Sequence, residues 1–580
     1  MTKKLLLLLT ISLALSCLDE KQQSEMILRH YIDKNVDNIR NFTMESAVAL
    51  WNANISGDKD DYQKLIDLEL DFNNLYQSSS KHFSPDRFST FTQNVFTNEQ
   101  DFQLLKKLKN SGLVTDTILN RQLTVLYQSF MGPQVEADRY KMLRNAEAKL
   151  SQAFSGIKVV IGGKKHAGNQ IDSLRKTTSD NSVVKKIYST FREKGEQNSG
   201  DIINLVKMRN EFARNFGYTD FYQLALENKD QTPERIQKLL EEIETKTHDQ
   251  FFEAKLLIDK NLAKRFHIKT TDLRPWNYND ERTSYLPMKF SEKMDSLYRN
   301  TDPVKAAAEF FNGIGLPVQD VIERSDLHPR PGKASATFLL NIDFKNDLRL
   351  FSTIRNNQEG MKFMMHLCGH SSHYKNISEN IPYLLKDPNT VVSEGVATFF
   401  ENLPSDYFWL KSEFPMDSAT SIKYDLICRH FFQVDRLFRC RKLLVISEFE
   451  REIYRDPEQN LGELWYQLNL KYLGIQPPDE KSAADWATSK YAANLPCNIH
   501  NYVLADLFAA QLQHTIKKEI LHERKSQYQN NKAIGNFLVS RLYRYGDLLP
   551  WEKLIEKVTG EPLNPAYFTN YLLGEADNGS

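Results

Sequence analysis

Met361-Lys362-Phe363-Met364-Met365-His366-Leu367-Cys368-Gly369-His370 is the segment whose residue types and spacing could do chemistry. On a helix, His366 and His370 lie one turn apart on one face, the spacing two imidazoles need to share a small cation. Glu394 follows His370 by 24 residues in a second helical run, Val392 to Phe400, and can supply a third ligand. The chain has 13 histidines, so an i, i+4 pair arises readily by accident, and the plain alternative is two polar residues on an exposed helix. His373 shares the face but sits about 10 Å along the axis from His366, too far to reach the same ion.

In the His-Glu-x-x-His arrangement of zinc hydrolases, the residue after the first histidine is a glutamate that moves protons for the metal-bound water. Here that position is Leu367, which can neither accept nor deliver a proton. A positioned acid-base group contributes roughly 10² to 10⁴-fold, so its loss cripples hydrolysis without silencing it. Glu359 lies two turns before His366, and Glu401 lies two turns beyond Glu394; both read as surface or supporting carboxylates. Cys368 has no activating partner in sequence and reads as a small buried residue.

Three patterns position these residues. Thr337 to Phe344 and Leu348 to Ile354 form a short hairpin of β-prone residues around Asn346-Asp347, leading into the histidine helix. Apolar residues recur at helical spacing from Glu25 to Tyr76, as in Leu65, Leu68, Phe72 and Leu75, and again from Ile202 to Asn261. After Val391 the chain is helical throughout, with breaks at Pro404, Pro415, Pro477 to Pro478, Pro496 and Pro550.

With 41% hydrophobic residues but only 23 glycines and 20 prolines in 580, the composition predicts a mainly α protein with one large body or two domains. The 75 basic and 75 acidic residues cancel without long single-sign blocks, which argues against a nucleic-acid partner. Gly162-Gly163-Lys164-Lys165 lacks the first glycine and the Ser or Thr of a phosphate loop.

Lys3 and Lys4 precede the apolar run Leu5 to Leu15, a secretory signal too short to span a membrane stably. Its end, Leu13-Ala14-Leu15-Ser16-Cys17, resembles a bacterial lipobox. That predicts residues 1–16 as signal peptide, acylation of Cys17, and export to the bacterial cell envelope, periplasmic or at the outer surface; ordinary cleavage nearby is the alternative. Cys428 and Cys440 are read as one helix, about 18 Å apart and unable to bridge.

The chain resembles the angiotensin-converting-enzyme (peptidyl-dipeptidase A) family of zinc metallopeptidases and its bacterial relatives. The likeness runs through Trp51-Asn52-Ala53-Asn54-Ile55, Met208-Arg209-Asn210-Glu211 with Gly217-Tyr218, and Arg324 to Lys333. It continues through the histidine segment with its interval to Glu394, and through His500-Asn501-Tyr502. The resemblance implies a two-lobed helical body around a deep cleft, residues 17–580 as one domain with interwoven lobes, and one zinc ion on His366, His370 and Glu394. It also implies a peptide or protein ligand in the cleft, with release of C-terminal dipeptides as the family activity. Tyr502 stands where a phenol could donate to an oxyanion. The family's glutamate is replaced by Leu367. The histidine that helps bind the tetrahedral intermediate falls on Tyr491 or Ala492, and nearby tyrosines fall on Asn498 and Ile499. A histidine after Pro275-Trp276 is Asn277, and one after Gly332-Lys333 is absent from Ala334-Ser335-Ala336. The joint loss predicts a pseudopeptidase; an active zinc peptidyl-dipeptidase with an atypical base is the alternative.

Overall fold

The computed structural model describes residues 19–573 except 57, 59, 62, 66, 69–97, 132–141, 144, 145, 148, 151, 152, 154–156, 168, 279–287, 331, 332, 334–336, 429–432, 489–495 and 523–526. The signal segment with Cys17, the pair Tyr491 and Ala492, and Ala334 to Ala336 lie outside the described residues.

Helices dominate, and among the described residues there are two small antiparallel sheets of two strands each. The mainly α expectation holds. Local chemistry explains the helix boundaries. Thr232 caps Pro233–Phe266, its hydroxyl accepting from the Arg235 N–H, with proline at the first helical position. Asp302 does the same for Pro303–Gly313 by accepting from the Val304 N–H at 2.9 Å.

Strands β1 (Lys158–Ile161) and β2 (Lys164–Ala167) pair across Gly162 and Gly163, both at positive φ. A two-residue turn with left-handed φ at both positions suits glycine and matches the twist of a hairpin. The Gly-Gly-Lys-Lys stretch is therefore a hairpin turn. Strands β3 (Phe338–Asn341) and β4 (Leu348–Phe351) form the expected hairpin, with Phe338 stacked on Phe351 at 5.1 Å.

The main hydrophobic core gathers the histidine helix, Gln358–Lys375, the helix Thr390–Asn402, and the C-terminal helices. Thr390–Asn402 packs between Gln358–Lys375 and Ile499–Glu519. The sequence permits close approach at both faces: an added Cβ on Gly369 would meet Ala397 Cα at 3.0 Å, and one on Gly395 would meet Phe508 Cδ1 at 2.4 Å. A second cluster, including Leu28, Tyr31, Leu105 and Leu123, joins Glu20–Ser56, Asn98–Ser111 and Thr117–Met131 to Ala213 and Leu224. Arg121 ties this layer to the body, reaching Asp230 and Asp547 at 2.7 Å each.

Ser418–Ile427 is capped at Cys428 and Cys440 belongs to Gln433–Arg455; residues 429–432, which would join the two into the single helix expected there, lie outside the described residues. Cys368, Cys428, Cys440 and Cys497 are all buried.

Candidate metal centre

Two helices build the site, and each begins on an asparagine cap. Asn357 opens Gln358–Lys375 by accepting from the Gly360 N–H at 2.8 Å. Gly360 is needed there, because a Cβ would lie 1.9 Å from the Arg355 carbonyl oxygen. Asn389 opens Thr390–Asn402 by accepting from the Val391 N–H at 3.0 Å, and its amide donates to the Lys229 carbonyl at 3.3 Å. These caps fix where His366, His370 and Glu394 fall on the facing surfaces.

The three expected ligands come together. One donor atom from each of His366, His370 and Glu394 lies within 4.8 Å of the other two. His366 Nε2 is 3.8 Å from Glu394 Oε2, and His370 Nε2 is 3.8 Å from Glu394 Oε1. Zinc ligands at about 2.0–2.1 Å in tetrahedral geometry would stand roughly 3.4 Å apart, so a small closure completes the site. Two imidazoles and one carboxylate form a catalytic-type zinc set, which keeps a fourth position open. The side chains retain 22%, 13% and 21% exposure for His366, His370 and Glu394, so that position is reachable.

Each histidine is also held from behind. His366 Nδ1 is 2.9 Å from Glu401 Oε2, and His370 Nδ1 is 2.9 Å from Ser393 Oγ. A hydrogen bond at Nδ1 fixes the ring and leaves the Nε2 lone pair for a metal. The charges agree with this. Burial works to lower the His366 pKa, but the Glu401 hydrogen bond and the charges of Glu401 and Glu394 outweigh it and raise the value. Burial, with the neighbouring His366 and His373, holds His370 well below the ordinary imidazole range. For Glu401, burial is outweighed by the His366 hydrogen bond and Lys362, so its carboxyl is depressed. Glu394 moves upward through burial, eased by His366. Arg439 of Gln433–Arg455 adds positive potential toward both carboxylates.

Leu367 is 2% exposed and belongs to the main core. Neither acidic neighbour stands ready to replace the missing base. Glu401 is engaged by His366, and Glu359 pairs with Lys176 at 3.3 Å in the first helical turn. Cys368 is fully buried and burial pushes its thiol far up, as an inert core residue requires. His373 is fully buried and stacked on Tyr543 at 4.7 Å, away from the other two histidines' role.

Tyr502 sits on the first turn of Ile499–Glu519 and packs against the main core. Asn277 is buried in a structural role, accepting from the Arg274 N–H at 2.9 Å and donating to Asn181 at 2.7 Å. Asn498 accepts from Lys229 at 3.1 Å, and Ile499 is buried in the core.

Other motif residues prove to be structural anchors. Arg209 is buried between the Tyr454 hydroxyl at 2.9 Å and Glu147 at 2.7 Å. Lys333 donates to Asp326 and to the carbonyls of His328 and Ser352, fastening the loop after Leu327 to β4. Glu401 was legible only as a supporting carboxylate, and Ser393 carried no signal beyond its place before Glu394.

Residues 444–575 match the family model described as Carboxypeptidase Taq (M32) metallopeptidase. Thermostable carboxypeptidase 1 of Pyrococcus furiosus is 23% identical over 210 residues, 34% of this chain and 35% of the relative. Carboxypeptidase 1 of Bacillus subtilis is 23% identical over 243 residues, 37% of this chain and 47% of the relative. Angiotensin-converting enzyme of Mus musculus is 21% identical over 290 residues, 46% of this chain and 21% of the relative. The chain thus spans less than half the length of the curated relatives it matches. The expected likeness to angiotensin-converting enzyme stands as one of two, and the family model points to the M32 side. Helices, ligand set and similarities together place the chain among proteins with a mainly α metallopeptidase fold, M32 carboxypeptidase-like in its C-terminal part.

Proposed function

We propose that this chain is an exported pseudopeptidase: it holds one zinc ion on His366, His370 and Glu394 and binds a peptide or protein segment without efficient hydrolysis. The carrying observation is Leu367, buried at the general-base position beside a complete and supported ligand set. When bound, zinc would supply Lewis-acid polarisation of a carbonyl or water. The chain's own part would be to orient two imidazoles through Glu401 and Ser393 and to present Glu394 opposite them. No proton passes through a leucine.

The deciding measurement is metal content and hydrolysis of a small peptide panel, with Leu367→Glu and His366→Ala alongside. The proposal expects zinc in the unmodified protein, negligible cleavage, and a gain of roughly 10² to 10⁴-fold in Leu367→Glu, the range of a positioned acid-base group. Zinc-dependent cleavage by the unmodified protein would overturn it. That outcome is the second reading, favoured by the carboxypeptidase names of the relatives, and removal of C-terminal residues is then the activity to assay.

Export belongs to the same proposal. Cys17 would be acylated after removal of residues 1–16, anchoring the protein to a membrane. No described helix is long and apolar enough to cross one. Labelling with a clickable fatty acid in a bacterial host should mark the unmodified chain and not Cys17→Ala; equal labelling of both would refute acylation at this residue.

A further inference from the structure

Strands β1 and β2 form a sheet of their own, and neither outer edge pairs with another described strand. Val159 is fully buried against Ile171 and Ile187, so one face of β1 covers a small core. Lys158 and Val160 face the other way, into solvent, with 48% of Val160 exposed. Lys165 stands opposite Val160 on β2 and is exposed as well.

The backbone alternates with the same period. Beside a two-residue turn, the pair Ile161 and Lys164 exchanges its hydrogen bonds, and so does the pair Val159 and His166. Lys158 and Val160 therefore turn N–H and C=O outward, and no described residue meets them. On β2 the Ala167 N–H is already directed at Gln170 Oε1, 3.4 Å away. The bare edge is that of β1.

Charge selects what can pair there. From residue 158 to residue 186, seven lysines and arginines stand against two aspartates, whereas the whole sequence balances 75 against 75. Some of these cations are engaged: Lys176 pairs with Glu359 at 3.3 Å, and Arg175 lies over the Phe191 ring at 4.8 Å. Lys158, Lys164 and Lys165 are exposed and have no partner among the described residues. Lysine on an edge strand keeps like edges apart, so a second copy of this hairpin is rejected. A strand of opposite charge is not. An acidic residue beside Lys158 would form a cross-strand ion pair, and Lys164 and Lys165 add positive potential from the next strand.

The hairpin also has a fixed place on the body. It packs through Val159 on Asn169–Thr177, and the Lys176–Glu359 pair ties that helix to the first turn of the histidine helix.

We propose that the outer edge of β1 is a docking site for an extended acidic peptide segment, which joins the sheet as a third strand. Main-chain bonds to Lys158 and Val160 hold the segment, and the lysines select its charge. The site shares no residue with His366, His370 and Glu394 and does not depend on zinc there.

The test uses the full-length chain and a fluorescein-labelled decapeptide of alternating Glu and Val, with binding read by anisotropy. Lys158→Glu combined with Lys165→Glu should weaken binding by about 10-fold or more, because like charges then oppose each other. Val160→Pro removes one outward N–H and spares the bonds to β2, as proline on an edge strand does. It should weaken binding comparably although every lysine remains. N-methylation of alternate amides of the decapeptide makes the same comparison on the unmodified protein: one alternate set should abolish binding and the other preserve it. Full affinity in Val160→Pro together with indifference to both methylated sets would mean charge attraction without strand addition and would overturn the proposal. Unchanged affinity in the double lysine variant, or no binding of the decapeptide, would overturn it as well. Binding to phosphatidylglycerol vesicles but not to the decapeptide would assign the lysines to a membrane surface instead.

Discussion

At the scale of single residues, the site depends on side chains that never touch a metal. Glu401 is the clearest case, with its carboxylate 2.9 Å from His366 Nδ1 and Lys362 at 3.8 Å on the other oxygen. Glu401→Gln keeps an acceptor for Nδ1–H but removes the charge that strengthens it and raises the basicity of His366. Zinc affinity should fall by about 10 to 100-fold, measured by chelator competition, while His366→Ala should abolish binding at this site. That His366 and His370 face one point was legible from spacing because a helix places i and i+4 on one face. Ser393 was not, since a hydroxyl beside a ligand has no spacing of its own and acquires a role only when two helices meet. The identities of Leu367 and Asn277 were equally legible, yet the sequence did not reveal that Asn277 would serve as the bracket of a turn.

At the scale of elements, the distance between two helices sets the geometry of the centre. His366 and His370 stand on one, Glu394 on the other, and Gly369 lies at their contact. Gly369→Ala would bring a Cβ to 3.0 Å from Ala397 Cα and 3.1 Å from Phe400 Cδ2, both in a packed core. Overpacking of this kind costs about 1–3 kcal/mol. Separation of the helices would also pull Glu394 from the histidines, so zinc affinity should fall together with thermal stability. A variant that loses stability but binds zinc normally would show that the core yields elsewhere. Hydrophobic periodicity located the long helices and the β3–β4 hairpin, because one buried face per element leaves a regular trace. It left β1–β2 unread, because two four-residue strands joined through Gly162-Gly163 are too short to leave a hydrophobic period.

At the scale of the whole molecule, the main core encloses charge as well as apolar surface. Glu450, on Gln433–Arg455, accepts the Cys497 N–H at 2.6 Å with one oxygen while the other is buried without a partner. Burial pushes its carboxyl from 4.5 up to about 7, against the pull of the Cys497 N–H, Lys229 and Arg209. An acid whose folded pKa lies above its unfolded value binds more protons folded than unfolded between the two. Stability therefore declines as pH rises from about 4.5 to about 7 and levels off above that. The shift corresponds to about 3 kcal/mol at 1.36 kcal/mol per pKa unit. Glu450→Gln cannot ionise and should escape this decline. Its unfolding free energy relative to the unmodified protein should rise by about 3 kcal/mol between pH 4.5 and pH 8, whatever the fixed cost of burying an amide there. Denaturant titrations of both proteins at the two pH values measure that difference directly. A pH-independent difference would mean that Glu450 titrates in the folded protein as it does in the unfolded chain, with Lys229 and Arg209 compensating its burial fully.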